Sequence, residues 1–285
     1  MGFGMTRFTY AIGIAVVFAI AWVFTLKERD MQEITFDIGK NIQKTAQSSV
    51  SHQYSAQEVD GLLLYDIDGI PPDVLVRYAR ADFDIVVSPI FSLTLYADRR
   101  NNNDLAVQTA ALQASTRKIT SHAAAQEFVA SIIDQFQKGK WRRHIDDMCP
   151  AVTGRSSILD ENGRVAQIGA CPLDPEYRLS NTEWEHLMSS VQNYQWIGGD
   201  VMAKLTIGYS DFGRGLKYSI DLEFDDYQLK RRRDNASLLQ RLEEGDAMGW
   251  NSSKEEQENV IARKKEILTL ERNAIQRGDK VLSRN

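Results

Sequence analysis

The feature that most constrains the fold is a strict alternation of apolar and polar side chains near the middle of the chain. Every second residue is apolar over residues 201–209, and the same alternation returns over 216–224. A period of two is typical of a β-strand with one face buried and the other in water. Residues 211–215 supply turn chemistry between the two runs. The sequence therefore predicts a β-hairpin over 201–227 whose apolar face packs on helices.

Two segments that precede this hairpin have helical periodicity. In residues 121–137 apolar side chains recur at helical spacing, with Ser121 as a candidate N-cap and Gly139 as a terminator. Residues 181–194 carry a second apolar stripe. Helices followed by an antiparallel sheet indicate an α+β domain, which we place at residues 118–229.

A smaller unit is predicted at residues 55–100. Residues 61–70 have the composition of a buried strand, and residues 72–82 show helical spacing after two prolines. Residues 85–96 are apolar and β-branched, but Pro89 lies inside the run and cannot donate to a strand ladder. We therefore expect a small α/β unit of strand, helix and strand, with an irregularity or a sheet edge at the proline.

The N-terminus contains nineteen consecutive residues without a charge, residues 8–26. A helix of this length just spans the ~30 Å hydrocarbon core of a bilayer. A cleaved signal peptide is the alternative, because an Ala-x-Ala pattern lies at 19–21. We favour an uncleaved single-pass anchor in contact with lipid, preceded by a short cytoplasmic tail (residues 1–7) and followed by an amphipathic stalk helix over 31–50.

The chain has two cysteines, Cys149 and Cys171, which bracket a polar loop. This arrangement predicts a disulfide in an oxidising compartment, and the alternative is two unrelated buried thiols. Basic residues that follow the anchor would place the body in the cytoplasm, but long domains translocate largely regardless of such charges. Anchor and cysteine pair together predict a bacterial inner-membrane protein with a periplasmic body, that is, an extracytoplasmic one.

Charge is distributed unevenly along the chain. The 34 Lys and Arg against 39 Asp and Glu give a net charge of -5, which argues against a nucleic-acid-binding protein. Residues 230–285 are charge-dense, with 13 basic and 10 acidic side chains, and form a predicted charged helical tail. Within it, residues 253–277 have the pattern of an exposed amphipathic helix that lies on the body or on a partner.

These features favour a binding protein of the cell envelope, either a component of a secretion or assembly machine or an immunity-type inhibitor of a toxin. Its protein partner is expected to contact two charged groups, the acidic outer face of the second hairpin strand and the arginine run after it. The predicted contact residues are Asp221, Glu223, Asp225, Arg231, Arg232 and Arg233. We predict no cofactor, metal site or catalytic residue, and leave self-association open.

The alternative is an envelope hydrolase. His144 lies in a dense polar cluster with Asp146 and Asp147, and a histidine near a carboxylate is a candidate general base. The chain has no nucleophile signature such as Gly-x-Ser-x-Gly, which makes a solvated, ion-paired loop the preferred interpretation of this cluster.

Overall fold

The computed structural model describes residues 32–49, 53–100, 104–114, 121–168, 170–211 and 216–284. Within these ranges the chain forms an α+β body of eleven strands, five α-helices and one 3-10 helix, Gly154–Ile158. The strands are β1 Glu33–Phe36, β2 Ser55–Val59, β3 Leu62–Asp68, β4 Leu75–Tyr78, β5 Ile85–Val87, β6 Ile90–Asp98, β7 Thr109–Ala114, β8 Arg142–Arg143, β9 Gln192–Gly198, β10 Val201–Asp211 and β11 Leu216–Asp226. The helices are α1 Ile42–Ser48, α2 His122–Lys138, α3 Asn181–Leu187, α4 Tyr227–Ala247 and α5 Ser252–Gln276.

Eight of these strands form one antiparallel sheet in the order β2-β3-β6-β7-β11-β10-β9-β8. The predicted hairpin is confirmed as β10 and β11, with Leu205 opposite Leu222. As the alternation predicts, Leu205, Leu222 and Phe224 are buried. The connection at 212–215 lies outside the described residues. The opposite face of β11 carries its acidic residues, of which Asp221 and Glu223 are partly exposed and Asp225 is buried.

A second, three-stranded sheet has the order β1-β4-β5, with β1 parallel to β4. It corrects two predictions. The stalk helix over 31–50 is wrong, because this segment forms β1 and the short helix α1, and Ile34 and Phe36 point into the core as alternate residues of a strand. The helix over 72–82 is wrong for the same reason, since Val76 and Tyr78 are alternate buried residues of β4.

An aromatic cluster joins the two sheets to α2. Phe136 of α2 stacks on Trp196 of β9 at 3.9 Å between ring centroids. Tyr78 of the small sheet stacks on Phe224 of β11 at 4.6 Å. Trp141 packs against both Phe136 and Phe224. These large buried rings contribute much of the apolar area that holds the body together.

The helices before the hairpin follow the predicted signals, with one change of length. Helix α2 starts after Ser121, whose side chain accepts a hydrogen bond from the Ala124 amide, and ends at Lys138, directly before Gly139. Helix α3 starts with a capping box between Ser180 and Glu183. It ends at Leu187, whereas the sequence predicted a helix to residue 194, because the chain there turns into β9.

The prediction of a single-pass membrane protein is corrected. The segment 8–26 and the tail 1–7 lie outside the described residues. Among the helices that the structure describes, none is long and apolar enough to cross a membrane. Only α4 and α5 exceed 17 residues, and both are dense in charged side chains. The inner-membrane location and the periplasmic orientation were inferred from that segment together with the cysteine pair, and the described helices do not support them.

Candidate functional site

The three acidic residues predicted to bind a partner share the outer face of β11. Alternation along the strand places them opposite the core, and the first turns of α4 lie next to them. Asp225 is buried and accepts a hydrogen bond from the Thr109 hydroxyl at 2.7 Å. It also faces Lys230 at 3.6 Å and Arg233 at 3.5 Å. The charge of Asp225 is therefore balanced within the chain.

Glu223 is the neighbour of Asp225 on the same face. Burial, followed by the adjacent Asp225 carboxylate, raises the pKa of Glu223 to about 7. The ammonium group of Lys230 lies 3.9 Å from its carboxylate and opposes this shift. At neutral pH this surface therefore holds a carboxyl group that is only partly ionised. Asp221, further along the strand, accepts a hydrogen bond from Ser219 at 2.6 Å.

The basic run at the start of α4 divides between two environments. Asp226 caps the helix by accepting from the Leu229 amide. Arg233 turns toward the acidic strand. Arg231 instead lies over the ring of Tyr227, 5.5 Å from its centroid. Arg231 and Arg232 are exposed, so they remain accessible to a partner.

The structure brings His144 to this same place. Its ring lies 5.7 Å from the ring of Tyr227 in an edge-on arrangement. Burial lowers the pKa of His144, so its imidazole is neutral at pH 7. Asp146 accepts a hydrogen bond from the Met148 amide at 2.8 Å, and in the described part of the chain no hydrogen bond joins it to His144. The histidine and carboxylate of the hydrolase hypothesis are thus neighbours without the orienting contact of a catalytic pair.

A second feature, which the sequence did not reveal, is the pairing of α4 with α5 into a helical hairpin. The two helices run for 21 and 25 residues and contact each other. Gly245 makes the close crossing feasible, because a Cβ at this position would lie 2.0 Å from the Ser252 hydroxyl. Asp246 accepts a hydrogen bond from the Ser253 amide at 3.0 Å, and hydrogen bonds from Ser253 lower the pKa of Asp246.

The tip of this hairpin has a defined backbone. Gly249 and Asn251 both adopt positive φ angles, and the Trp250 amide donates to the Gly245 carbonyl at 3.0 Å. The turn presents two large apolar side chains to solvent, Met248 at 56% and Trp250 at 62% exposure. The tip therefore combines a hydrogen-bonded backbone with apolar side chains that are open to solvent.

Helix α5 is attached to the body on one side. Its buried residues are Ile267, Leu270 and Ala274. The predicted disulfide between Cys149 and Cys171 is confirmed. Arg263 of α5 donates to the Met148 carbonyl and to the Cys171 sulfur, at 2.9 and 3.2 Å.

The C-terminal residues add further contacts to this attachment. Asp279 accepts a hydrogen bond from the Ser156 amide, and Val281 pairs with Val152 in a β-bridge. The disulfide-bonded loop and the C-terminal residues thus hold α5 against the body.

The outer side of α5 is apolar at regular intervals. Ile261, Leu268 and Ile275 follow one another every seven residues and are all exposed. Seven residues are close to two helical turns, so the three side chains form one line along the helix. The sequence predicted α5 as an exposed amphipathic helix, but not α4 as its partner. The signal that was missed is the pair of glycines that precede Trp250, Gly245 and Gly249, at the point where two helical patterns meet.

Within the described ranges, no group of three His, Cys, Asp or Glu side chains is placed to hold a metal ion. Comparisons with protein-family models, with curated protein sequences and with solved structures found no match to this chain.

Proposed function

We propose that this protein is a protein-binding module rather than an enzyme, and that the helical hairpin α4–α5 is its binding element. One observation carries the proposal. Of the ten large apolar side chains exposed in the described part of the chain, six lie on this hairpin: Leu239, Met248, Trp250, Ile261, Leu268 and Ile275. Exposed apolar side chains that cluster on one element are typical of interaction surfaces, whereas scattered ones are normal.

The dimensions of the hairpin support this role. Helix α5 has 25 residues and is therefore about 37 Å long. A stable protein interface buries about 800 Å² on each partner, which favours a contact surface that extends over both helices. Helix α4 is exposed along most of its length, and its only buried residue is Gly245. Both helices are thus open to a partner over several turns.

The base of the hairpin adds charge to this surface. Arg231 and Arg232 are exposed beside Tyr227, and the partly ionised Glu223 lies on the adjacent strand. Exposed charges around an apolar surface mainly increase the rate of association and the selectivity for a partner. The predicted contact residues therefore keep a role in the proposal, as charged neighbours of an apolar surface and not as its centre.

Site-specific photocross-linking tests the proposal. A benzophenone amino acid replaces Leu268 on the hairpin in the full chain, and the matched control replaces Val191, which is equally apolar and exposed on the body. We expect one discrete protein adduct from position 268 and none from position 191 after irradiation in the source cells.

A second pair of variants tests whether the line of Ile261, Leu268 and Ile275 is the contact surface. Leu268→Glu should abolish the adduct formed from a probe at Ile261, whereas Val191→Glu should leave it unchanged. Equal adduct yields from hairpin and body positions, or an adduct that Leu268→Glu does not affect, would contradict the proposal.

A further inference from the structure

The charges of the hairpin are segregated along its length. Residues 240–260, the half of the hairpin that contains the tip, include six acidic and two basic side chains and therefore carry a net charge of -4. Residues 227–239 carry a net charge of +3, and so do residues 261–277. The acidic side chains near the tip are Glu243, Glu244, Asp246, Glu255, Glu256 and Glu258. The exposed Met248 and Trp250 are therefore surrounded by negative charge, while the base of the hairpin is positive.

From this arrangement we infer that the tip inserts Met248 and Trp250 into an apolar pocket of a protein partner, and that lysine and arginine side chains border this pocket. The inference rests on the proposed function and names the chemistry of the partner at one end of the hairpin. A tryptophan that is fixed on a rigid turn loses little conformational freedom on binding, and tryptophan is enriched among residues that dominate binding energy. The acidic residues on both helices require a basic border, because like charges across an interface repel.

Two other occupants fit the tip less well. Anionic lipid surfaces attract basic segments, and the acidic residues beside Trp250 would be repelled by them. A second copy of this chain offers apolar residues within the basic segment 261–277 of α5, such as Leu268 and Ile275, but these lie on a convex helix face. An indole ring needs a concave pocket to be buried, so a separate partner is the better match.

Cross-linking from the tip tests the inference. A benzophenone amino acid replaces Trp250 in the full chain, and the adduct is mapped by mass spectrometry to a residue of the partner. We expect that residue to lie in an apolar pocket bordered by lysine or arginine. A second expectation concerns charge: Glu243→Lys together with Glu255→Lys should reduce the adduct yield at least about fivefold. The matched control is Glu127→Lys, which reverses an exposed acidic residue on α2 and should change nothing.

Vesicles provide the comparison with lipid. Purified wild type and Trp250→Ala are each mixed with vesicles of phosphatidylcholine alone or with phosphatidylglycerol, and flotation should recover the same fraction of both proteins with the lipid. If Trp250→Ala floats with the lipid less than the wild type does, the inference is wrong and the tip binds a membrane.

Four cross-linking results would overturn the inference: an adduct with a second copy of the chain, a mapped site without basic neighbours, an adduct that survives charge reversal, or no adduct from position 250. If position 268 still forms its adduct while position 250 forms none, the proposed function stands and this inference alone fails.

Discussion

At the scale of single residues, the outer face of β11 shows how the position of a side chain on a strand changes its ionisation. Glu223 and Asp225 are two residues apart on one strand, so their carboxyl groups share a face, and burial together with the Asp225 carboxylate raises the cost of ionising Glu223. Lys230 of α4 reduces that cost, while Arg233 pairs with Asp225. The balance leaves Asp225 paired and Glu223 with a pKa near neutrality.

This balance predicts a pH-dependent stability. In the unfolded chain Glu223 ionises near pH 4.5, whereas in the folded protein it keeps its proton to about pH 7. Between these values the folded state binds the extra proton, so the free energy of unfolding falls as the pH rises from 4.5 to 7 and then levels off. Glu223→Gln removes this fall. The Glu223 side chain is 41% exposed, so solvent screens its charge. We therefore expect the free energy of unfolding of Glu223→Gln at pH 8 to exceed that of the wild type by roughly 1 kcal/mol.

Urea denaturation at pH 5 and pH 8 measures this effect. The matched control is Glu127→Gln, which changes an exposed glutamate on α2. Wild type and Glu223→Gln with parallel stability profiles would show that the carboxyl pair does not retain a proton.

Gly245 gives a second prediction at this scale. In a free helix, alanine is more stable than glycine by about 1 kcal/mol. At position 245 a Cβ would lie 2.0 Å from the Ser252 hydroxyl and 2.8 Å from its Cβ, so the helices would have to separate. Gly245→Ala should therefore destabilise the hairpin by about 1 to 3 kcal/mol. Hydrogen exchange over residues 240–256 measures it, and Ser252→Gly in the same chain should restore protection. Unchanged protection in Gly245→Ala would mean that the crossing is looser than described.

At the scale of elements, the disulfide determines how firmly α5 is held. The bond closes a loop with a sequence separation of 22, for which the chain-entropy estimate is about 3 kcal/mol. Arg263 and Arg284 both contact this loop, through the Met148 and Cys149 carbonyl oxygens. Replacement of both cysteines by serine should lower the melting temperature and increase hydrogen exchange in α5 more than in α2. Equal loss of protection in both helices would show that the bond stabilises only the body as a whole.

The length of each element determines whether it could be predicted from the sequence. The hairpin β10–β11 was predictable because eleven-residue strands display the period of two many times over. Strands β1 and β4 have four residues each, and their pairing joins positions more than forty residues apart. Apolar residues in such short strands also fit a helical spacing, which led to the wrong helices over 31–50 and 72–82. Local periodicity does not distinguish a short strand from a helix when the strand is stabilised by pairing with a distant segment of the chain.

The acidic and basic groups at the base of the hairpin were predictable as charged segments, but not as ion pairs. Nothing in the sequence states that α4 would fold back so that Lys230 and Arg233 meet Asp225. The prediction that these residues bind a partner stays a prediction, and the structure adds that part of their charge is already balanced.

At the scale of the whole molecule, two tryptophans separate stability from the proposed binding role. Trp196 is 2% exposed and stacks on Phe136 in the core, whereas Trp250 is 62% exposed at the hairpin tip. Trp196→Ala should cost about 3 to 5 kcal/mol of unfolding free energy, because it removes a buried ring and leaves a cavity. Trp250→Ala should change it by less than about 0.5 kcal/mol, since an exposed side chain contributes little to folding. Guanidinium denaturation of both variants provides the comparison. A large destabilisation by Trp250→Ala would show that the Trp250 ring stabilises the fold. Its exposure would then no longer support a role in binding.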